Sequence, residues 1–194
     1  MTRAKTLRDD LGLLLKSSYL PQMKAKEKMK DKGYDYDHNL STMETKVFVK
    51  DGKPVIVHRG TKNLRDVGDD ILVGLGLESR SHRFRQAKRI NDKVESKYGV
   101  GADNIGHSLG GKISEYAGKN STGNIMTYNK AVGLGDIFQN NDKQRQHDIT
   151  TKGDLVSGLG YTQTGNKEVI PNKHPSHIGF IDALNAHRID NLFK

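Results

Sequence analysis

The sequence predicts an α/β fold behind an N-terminal helical extension, and three observations carry that reading. From residue 54 to 130, β-rich runs alternate with helical patterns, as strands joined by crossover helices do. Asp51-Gly52, the strongest short hairpin signal, joins two β-rich runs. The length of 194 residues suits one domain with its own core.

The elements follow in order. Leu7, Leu11, Leu14 and Leu15 recur at helical spacing and predict an amphipathic helix over residues 4–17. A more polar helix is expected over 20–32, with Lys24, Lys26, Lys28, Lys30 and Lys32 interspersed with Glu27 and Asp31; Lys32-Gly33 stops it. Residues 45–50 and 54–58 are the hairpin strands, and Pro54 must sit at a strand start or on an edge. Residues 66–77 pass from acidic (Asp66, Asp69, Asp70) to apolar (Ile71 to Leu77). The apolar run reads as a core element or as a lid, with Gly74 and Gly76 as hinges. A helix is expected over 83–98, with Ala87, Ile90 and Val94 on one face, and another over 110–119. Between them Val100 to Ile105 is short and polar for a central strand, which should be a buried apolar run. Residues 124–128 read as a strand and 179–186 as a short helix. Residues 1–44 are taken as the helical extension and 45–194 as the main domain.

Composition bounds the chemistry. The chain has 32 Lys plus Arg against 23 Asp plus Glu, a net charge of +9, and no Cys; its mean hydropathy is −0.73 and its pI about 9.6. The absence of Cys excludes a disulfide scaffold, a Cys-ligated zinc site and a thiol nucleophile. No apolar run approaches the ~20 residues that span a bilayer. Asp9 and Asp10 interrupt the basic N-terminus, so neither a signal nor a transit peptide is expected. The chain is read as soluble, and as intracellular or virion-associated. The positive charge points to an anionic lipid surface, nucleic acid or an acidic partner, against a merely solvated Lys-rich face. No nucleic-acid motif is present and the aromatics do not interleave with the basic residues, so nucleic acid is not the expected partner.

Gly106-His107-Ser108-Leu109-Gly110-Gly111 contains the Gly-x-Ser-x-Gly pattern of a strand–turn–helix that presents a serine hydroxyl. The glycines are needed because side chains there would collide. The turn aims the Leu109 N–H at a reacting oxygen. The three-residue pattern alone is a weak signal; its surroundings decide. A phosphate-loop reading of Gly106 to Lys112 lacks the Ser or Thr that must follow the lysine, since Ile113 stands there.

These motifs, in this order, resemble the class 3 lipases, a family of α/β-hydrolases, over about residues 45–193. Val55-Ile56-Val57-His58-Arg59-Gly60-Thr61 is similar to the family's strand ending in Arg-Gly-Ser/Thr, and Asp69-Asp70-Ile71 to the acidic segment after it. His82-Arg83-Phe84, Gly106 to Gly111, Thr151 to Val156 and Ala186 to Phe193 resemble the motifs that follow. Tyr34-Asp35-Tyr36-Asp37 and Leu40-Ser41 resemble short lipase-like proteins of large DNA viruses. The resemblance implies a mostly parallel sheet with helices on both faces. It implies Ser108 as nucleophile, Asp154 as acid and His187 as base, with Thr61 and Leu109 as oxyanion donors. His107 is expected to pack beside the site and Arg59 to pair with an acid such as Asp70. His58 reads as structural and His82 as surface or supporting. Asp136, Asp142 and Asp148 rival Asp154; His174 and His177 rival His187. No metal and no cofactor are expected.

The expected function is therefore a serine hydrolase acting on lipid esters, as a triacylglycerol lipase or a phospholipase. Two other classes stay open: a catalytically weak lipase-like structural or virion protein, and a basic nucleic-acid-binding module. Labelling of Ser108 by a fluorophosphonate separates the first from an enzyme. Salt-dependent nucleic-acid retention that survives Ser108→Ala would favour the second.

Overall fold

The computed structural model describes residues 3–61, 82–131, 144–158, 166–177 and 179–193. Asp66, Asp69, Asp70, the apolar run 71–77, Asp136 and Asp142 lie outside the described residues.

Two helices come first, α1 (Arg3–Ser18) and α2 (Gln22–Lys30). Gly33 ends the second, as expected. At φ 76° it lets its own N–H reach the Lys30 carbonyl and the Tyr34 N–H reach that of Met29, so two orphan carbonyls of the last turn are satisfied. The hairpin is β2 (Thr45–Lys50) and β3 (Lys53–His58), with β1 (Asp35–Tyr36) on the outer side of β2. Asp51 and Gly52 both have positive φ, 52° and 72°, the two-residue turn whose twist matches the strands. Pro54 pairs with Val49, and the parallel ladder from β3 to β4 begins one residue later, at Val55.

The remaining elements are α3 (His82–Tyr98), β4 (Asp103–His107), α4 (Leu109–Gly118), β5 (Ile125–Tyr128), β6 (Gln146–Thr151), α5 (Leu155–Gly158), β7 (Asn166–Ile170), α6 (Gly179–Ala186) and a 3₁₀ turn, Ile189–Leu192. The seven strands form one sheet in chain order, antiparallel from β1 to β3 and parallel from β3 to β7.

The period-2 alternation of strand side chains builds a core on each face. Val55, Val57, Phe48 and Ile105 meet Leu7, Leu11, Leu14 and Leu15 of α1 and Ala25 and Met29 of α2. Ile56 and Val47 point the other way, to Ile90 and Val94 of α3, and Phe84 and Ala87 of α3 pack on Ile113 and Ala117 of α4. Helices therefore cover both faces, and α1 and α2 supply one cover.

The central strand departs from expectation. It lies at Asp103–His107, not Val100–Ile105, and all five residues are buried. Its polarity is tolerated because every polar end is met, and a buried polar group costs little once hydrogen-bonded. Asp103 receives Arg3 Nε at 2.8 Å and the Asn124 N–H at 2.8 Å. Asn104 donates to Asn91 Oδ1 at 2.8 Å and accepts from His58 Nε2 at 3.1 Å.

Candidate active site

The parallel strands deliver their carboxyl ends to one edge of the sheet, where side chains at a topological edge can converge. β4 ends there at His107, Ser108 turns the chain, and α4 begins at Leu109. Ser108 has φ 56° and ψ −127°, a backbone conformation that costs a non-glycine residue about 1–3 kcal/mol. Hydrogen bonds hold it: the Ser108 N–H donates to the Tyr128 carbonyl at 3.1 Å, and the Ser108 carbonyl accepts from Gly111 at 2.9 Å and Ala131 at 3.1 Å.

Both elbow glycines are forced by close backbone approach. A Cβ on Gly106 would lie 2.0 Å from the Gly110 carbonyl oxygen, and one on Gly110 would lie 2.2 Å from that of His58. The second contact brings the end of β3, and with it Arg59-Gly60-Thr61, against the first turn of α4. A Cβ on Gly60 would come within 3.3 Å of Ser108 Cβ. Leu109 opens the helix, so its N–H has no intrahelical acceptor.

Asp154 follows β6 after a turn through Gly153, φ 87°. Its Oδ1 accepts from His187 Nδ1 at 2.8 Å. Its Oδ2 accepts from the Ser157 N–H at 3.1 Å and Ser157 Oγ at 2.5 Å. His187 stands just past α6, its N–H bonded to the Ala183 carbonyl at 3.2 Å. Because an ionised carboxylate only accepts, the bond requires a proton on His187 Nδ1. Ser108, Asp154 and His187 are 2%, 3% and 1% exposed. Among the described residues, Ser108 Oγ and His187 Nε2 are buried without a hydrogen-bond partner.

His107 joins the two halves. Its ring lies 4.7 Å from that of His187, centroid to centroid, and stacks on Tyr128 at 5.6 Å. Its Nε2 is 2.8 Å from the His187 carbonyl oxygen, and its Nδ1 is 3.1 Å from the Tyr19 hydroxyl. Burial, aided by the neighbouring His187, pushes its pKa down to about 3. His58 is likewise pushed down by burial, to about 4. Its ring spans Thr45 Oγ1 and Asn104 Oδ1, so it ties strands together away from the triad.

Asn129 is a second joint. At φ 44° it accepts the Thr151 N–H at 2.8 Å on Oδ1 and donates Nδ2 to the Ala186 carbonyl at 2.9 Å. It thus holds the end of β6, before Asp154, to the end of α6, before His187. Sequence reasoning missed Asn129, Ser157 and Tyr19. Asn directly after a β-run was the available signal for Asn129, since Asn tolerates positive φ; nothing in the chain marks Tyr19.

The other candidates separate. Arg59 Nη2 lies 3.8 Å from Glu44, which also takes Arg83 Nε at 3.5 Å, so the acid that Arg59 meets among the described residues is Glu44. Asp148 is 1% exposed and held by Lys130 Nζ at 3.2 Å and Thr127 Oγ1 at 2.6 Å. His174, His177 and His82 are exposed. Lys112, the lysine of the phosphate-loop reading, is 3% exposed and paired with Glu115 at 3.3 Å, so its amine is not turned to a ligand. No described helix is long and apolar enough to cross a membrane.

Comparison with known proteins adds one finding. A family model described as phospholipase-like, Tle-like phospholipase domain, matches residues 15–166, a span that runs from within α1 through the elbow and Asp154. No curated protein matches the chain.

Proposed function

The chain belongs to the phospholipase-like family of Tle-like phospholipase domains, and from that premise we propose that it is a serine hydrolase cleaving carboxylic esters of lipids, phospholipids foremost. One observation carries the proposal. Two buried polar atoms, Ser108 Oγ and His187 Nε2, are left without partners beside a His187–Asp154 hydrogen bond of 2.8 Å. Leaving such atoms unpaired costs about 1–3 kcal/mol each; Tyr36 Oη and Arg59 Nε are buried and unpartnered as well, but of these only Ser108 and His187 combine an unpaired hydroxyl with an unpaired imidazole nitrogen whose ring is held by a carboxylate.

The roles follow from the chemistry. Ser108 Oγ attacks the ester carbonyl carbon while its proton passes to His187 Nε2. Asp154, ionised, holds the Nδ1 proton and stabilises the imidazolium that forms. The N–H groups of Leu109 and Thr61 receive the oxyanion. The tetrahedral intermediate collapses, the C–O bond to the alcohol breaks, and His187 returns its proton to the leaving oxygen. Water then attacks the acyl-Ser108 ester by the same relay, releasing the fatty acid.

A fluorophosphonate probe tests this. The folded protein is expected to be labelled stoichiometrically on Ser108 and Ser108→Ala not at all. Failure of the folded parent to react would refute the proposal in favour of a lipase-like binding protein.

The substrate surface follows from charge. The chain carries +9, and Lys24, Lys26, Lys28 and Lys30 of α2 are all exposed. Each basic residue near an anionic bilayer contributes about 1 kcal/mol, screened by salt. Sedimentation with vesicles is expected to retain the protein on anionic phospholipid at low ionic strength and release it as salt rises. Equal retention on purely zwitterionic vesicles would argue for apolar insertion instead.

A further inference from the structure

Tyr19 has no part in the proton relay, yet its hydroxyl reaches the elbow histidine His107, and through it the His187 main chain. It stands immediately after α1, partly buried. Its oxygen lies 3.1 Å from His107 Nδ1, and it packs against Gly60, where an added Cβ would come within 2.7 Å of it. His107 in turn reaches the His187 carbonyl at 2.8 Å through Nε2.

We propose that Tyr19 is a positioning residue: through its hydroxyl it fixes the His107 tautomer that braces the His187 main chain. The proposal rests on the acyl-transfer reading above.

Donor and acceptor logic fixes the direction of every bond. A carbonyl only accepts, so His107 must carry a proton on Nε2 to meet the His187 oxygen. Burial keeps His107 neutral, so Nδ1 is a lone pair and the Tyr19 hydroxyl donates to it. Burial also raises the Tyr19 pKa to about 12, so that proton stays in place. The chain runs one way: Tyr19 O–H to His107, His107 N–H to the His187 carbonyl. A neutral His107 matters because its ring lies 4.7 Å from that of His187, which must become cationic in the reaction. A second imidazolium at that distance would oppose it.

The aromatic ring of Tyr19 also touches His107 edge-on, centroids 6.3 Å apart. Tyr19→Phe keeps that packing and deletes only the donor. It is expected to lower kcat for a short-chain chromogenic ester about tenfold with KM within twofold. His107→Gln, which keeps an N–H for the His187 carbonyl and an acceptor for Tyr19, is expected to stay within about threefold of the parent. His107→Ala is not. In the double variant Tyr19→Phe/His107→Ala the loss should equal that of His107→Ala alone, because both act through one chain. A kcat for Tyr19→Phe within twofold of the parent, or losses that multiply in the double variant, would overturn the proposal.

A second measurement is independent of turnover. In histidine-labelled protein, nitrogen NMR is expected to read His107 as the neutral Nε2–H tautomer, with its Nδ1 resonance displaced by Tyr19→Phe. An unmoved resonance overturns the relay whatever the kinetics. The displaced resonance in a protein that hydrolyses no ester leaves the relay standing and overturns the hydrolase reading instead.

Discussion

Replacing His187 by alanine is expected to lower kcat/KM for a short-chain ester by about 10⁴- to 10⁶-fold, while His174→Ala and His177→Ala keep most of the activity. The Ser108 hydroxyl is a poor nucleophile until a base takes its proton, and among the described residues His187 is the histidine bonded to a buried carboxylate. His174 and His177 are exposed and lie on the segment before α6. Removing His187 leaves Asp154 with Ser157 as its remaining side-chain partner but with no imidazole to orient. In the proposed relay nucleophile and base act as one unit, so Ser108→Ala combined with His187→Ala should be no slower than either alone. Steady-state kinetics on these variants decides the matter. Loss of turnover in His174→Ala or His177→Ala, with His187→Ala active, would move the base to that segment.

The parts of this site that local chemistry dictates are the parts visible in the sequence. Asp51-Gly52 closes a hairpin because both residues take positive φ. Gly33 stops α2 for the same kind of reason. The elbow glycines are required because an added Cβ would lie 2.0 or 2.2 Å from a backbone carbonyl oxygen, and no other residue type fits there. Leu7, Leu11, Leu14 and Leu15 reveal α1 by spacing, because a helix buried on one face has no other way to be built.

What escaped the sequence is polar and long-range. β6 reads Gln146-His147-Asp148-Ile149-Thr150-Thr151, and nothing in it resembles a buried strand. Yet Gln146, Asp148, Thr150 and Thr151 are each under 9% exposed. They are tolerated because partners distant in the chain arrive with them: Lys130 pairs with both Asp148 and Glu115, and Thr127 donates to Asp148. Buried charges of this kind are weak evidence for stability and need nearly every hydrogen bond made. Hydropathy patterning cannot foresee pairs closed by the fold itself. The same holds for β4, whose Asp103 and Asn104 made the strand look too polar and displaced its expected position by two to three residues. It holds for Tyr19, which meets His107 across 88 positions of sequence.

Gly110→Ala is expected to destabilise the protein by more than about 4 kcal/mol, the range reserved for substitutions that break a structural necessity. Folded domains of this kind retain only about 5–15 kcal/mol in all, so most of the variant should be unfolded or insoluble. The new methyl would lie 2.2 Å from the His58 carbonyl oxygen, 2.9 Å from the Arg59 carbonyl carbon and 2.9 Å from the Gly60 nitrogen. All three are backbone atoms of β3 and its exit, so no side-chain rotation relieves the overlap; strand and helix must separate. Gly179→Ala is the control. It lies at the start of α6 with nothing within 4 Å of an added methyl and no positive φ, so alanine there should be neutral or stabilising by up to about 1 kcal/mol. Thermal unfolding followed by circular dichroism reads both, at roughly 2–4 °C per kcal/mol for a chain of this size. The contact that makes Gly110 irreplaceable also sets the exit of β3 beside the first turn of α4, which is the arrangement that the proposed pairing of Thr61 and Leu109 as oxyanion donors requires. A Gly110→Ala protein melting within about 3 °C of the parent would mean that the two elements do not touch, and the paired-donor oxyanion site would fall with that contact.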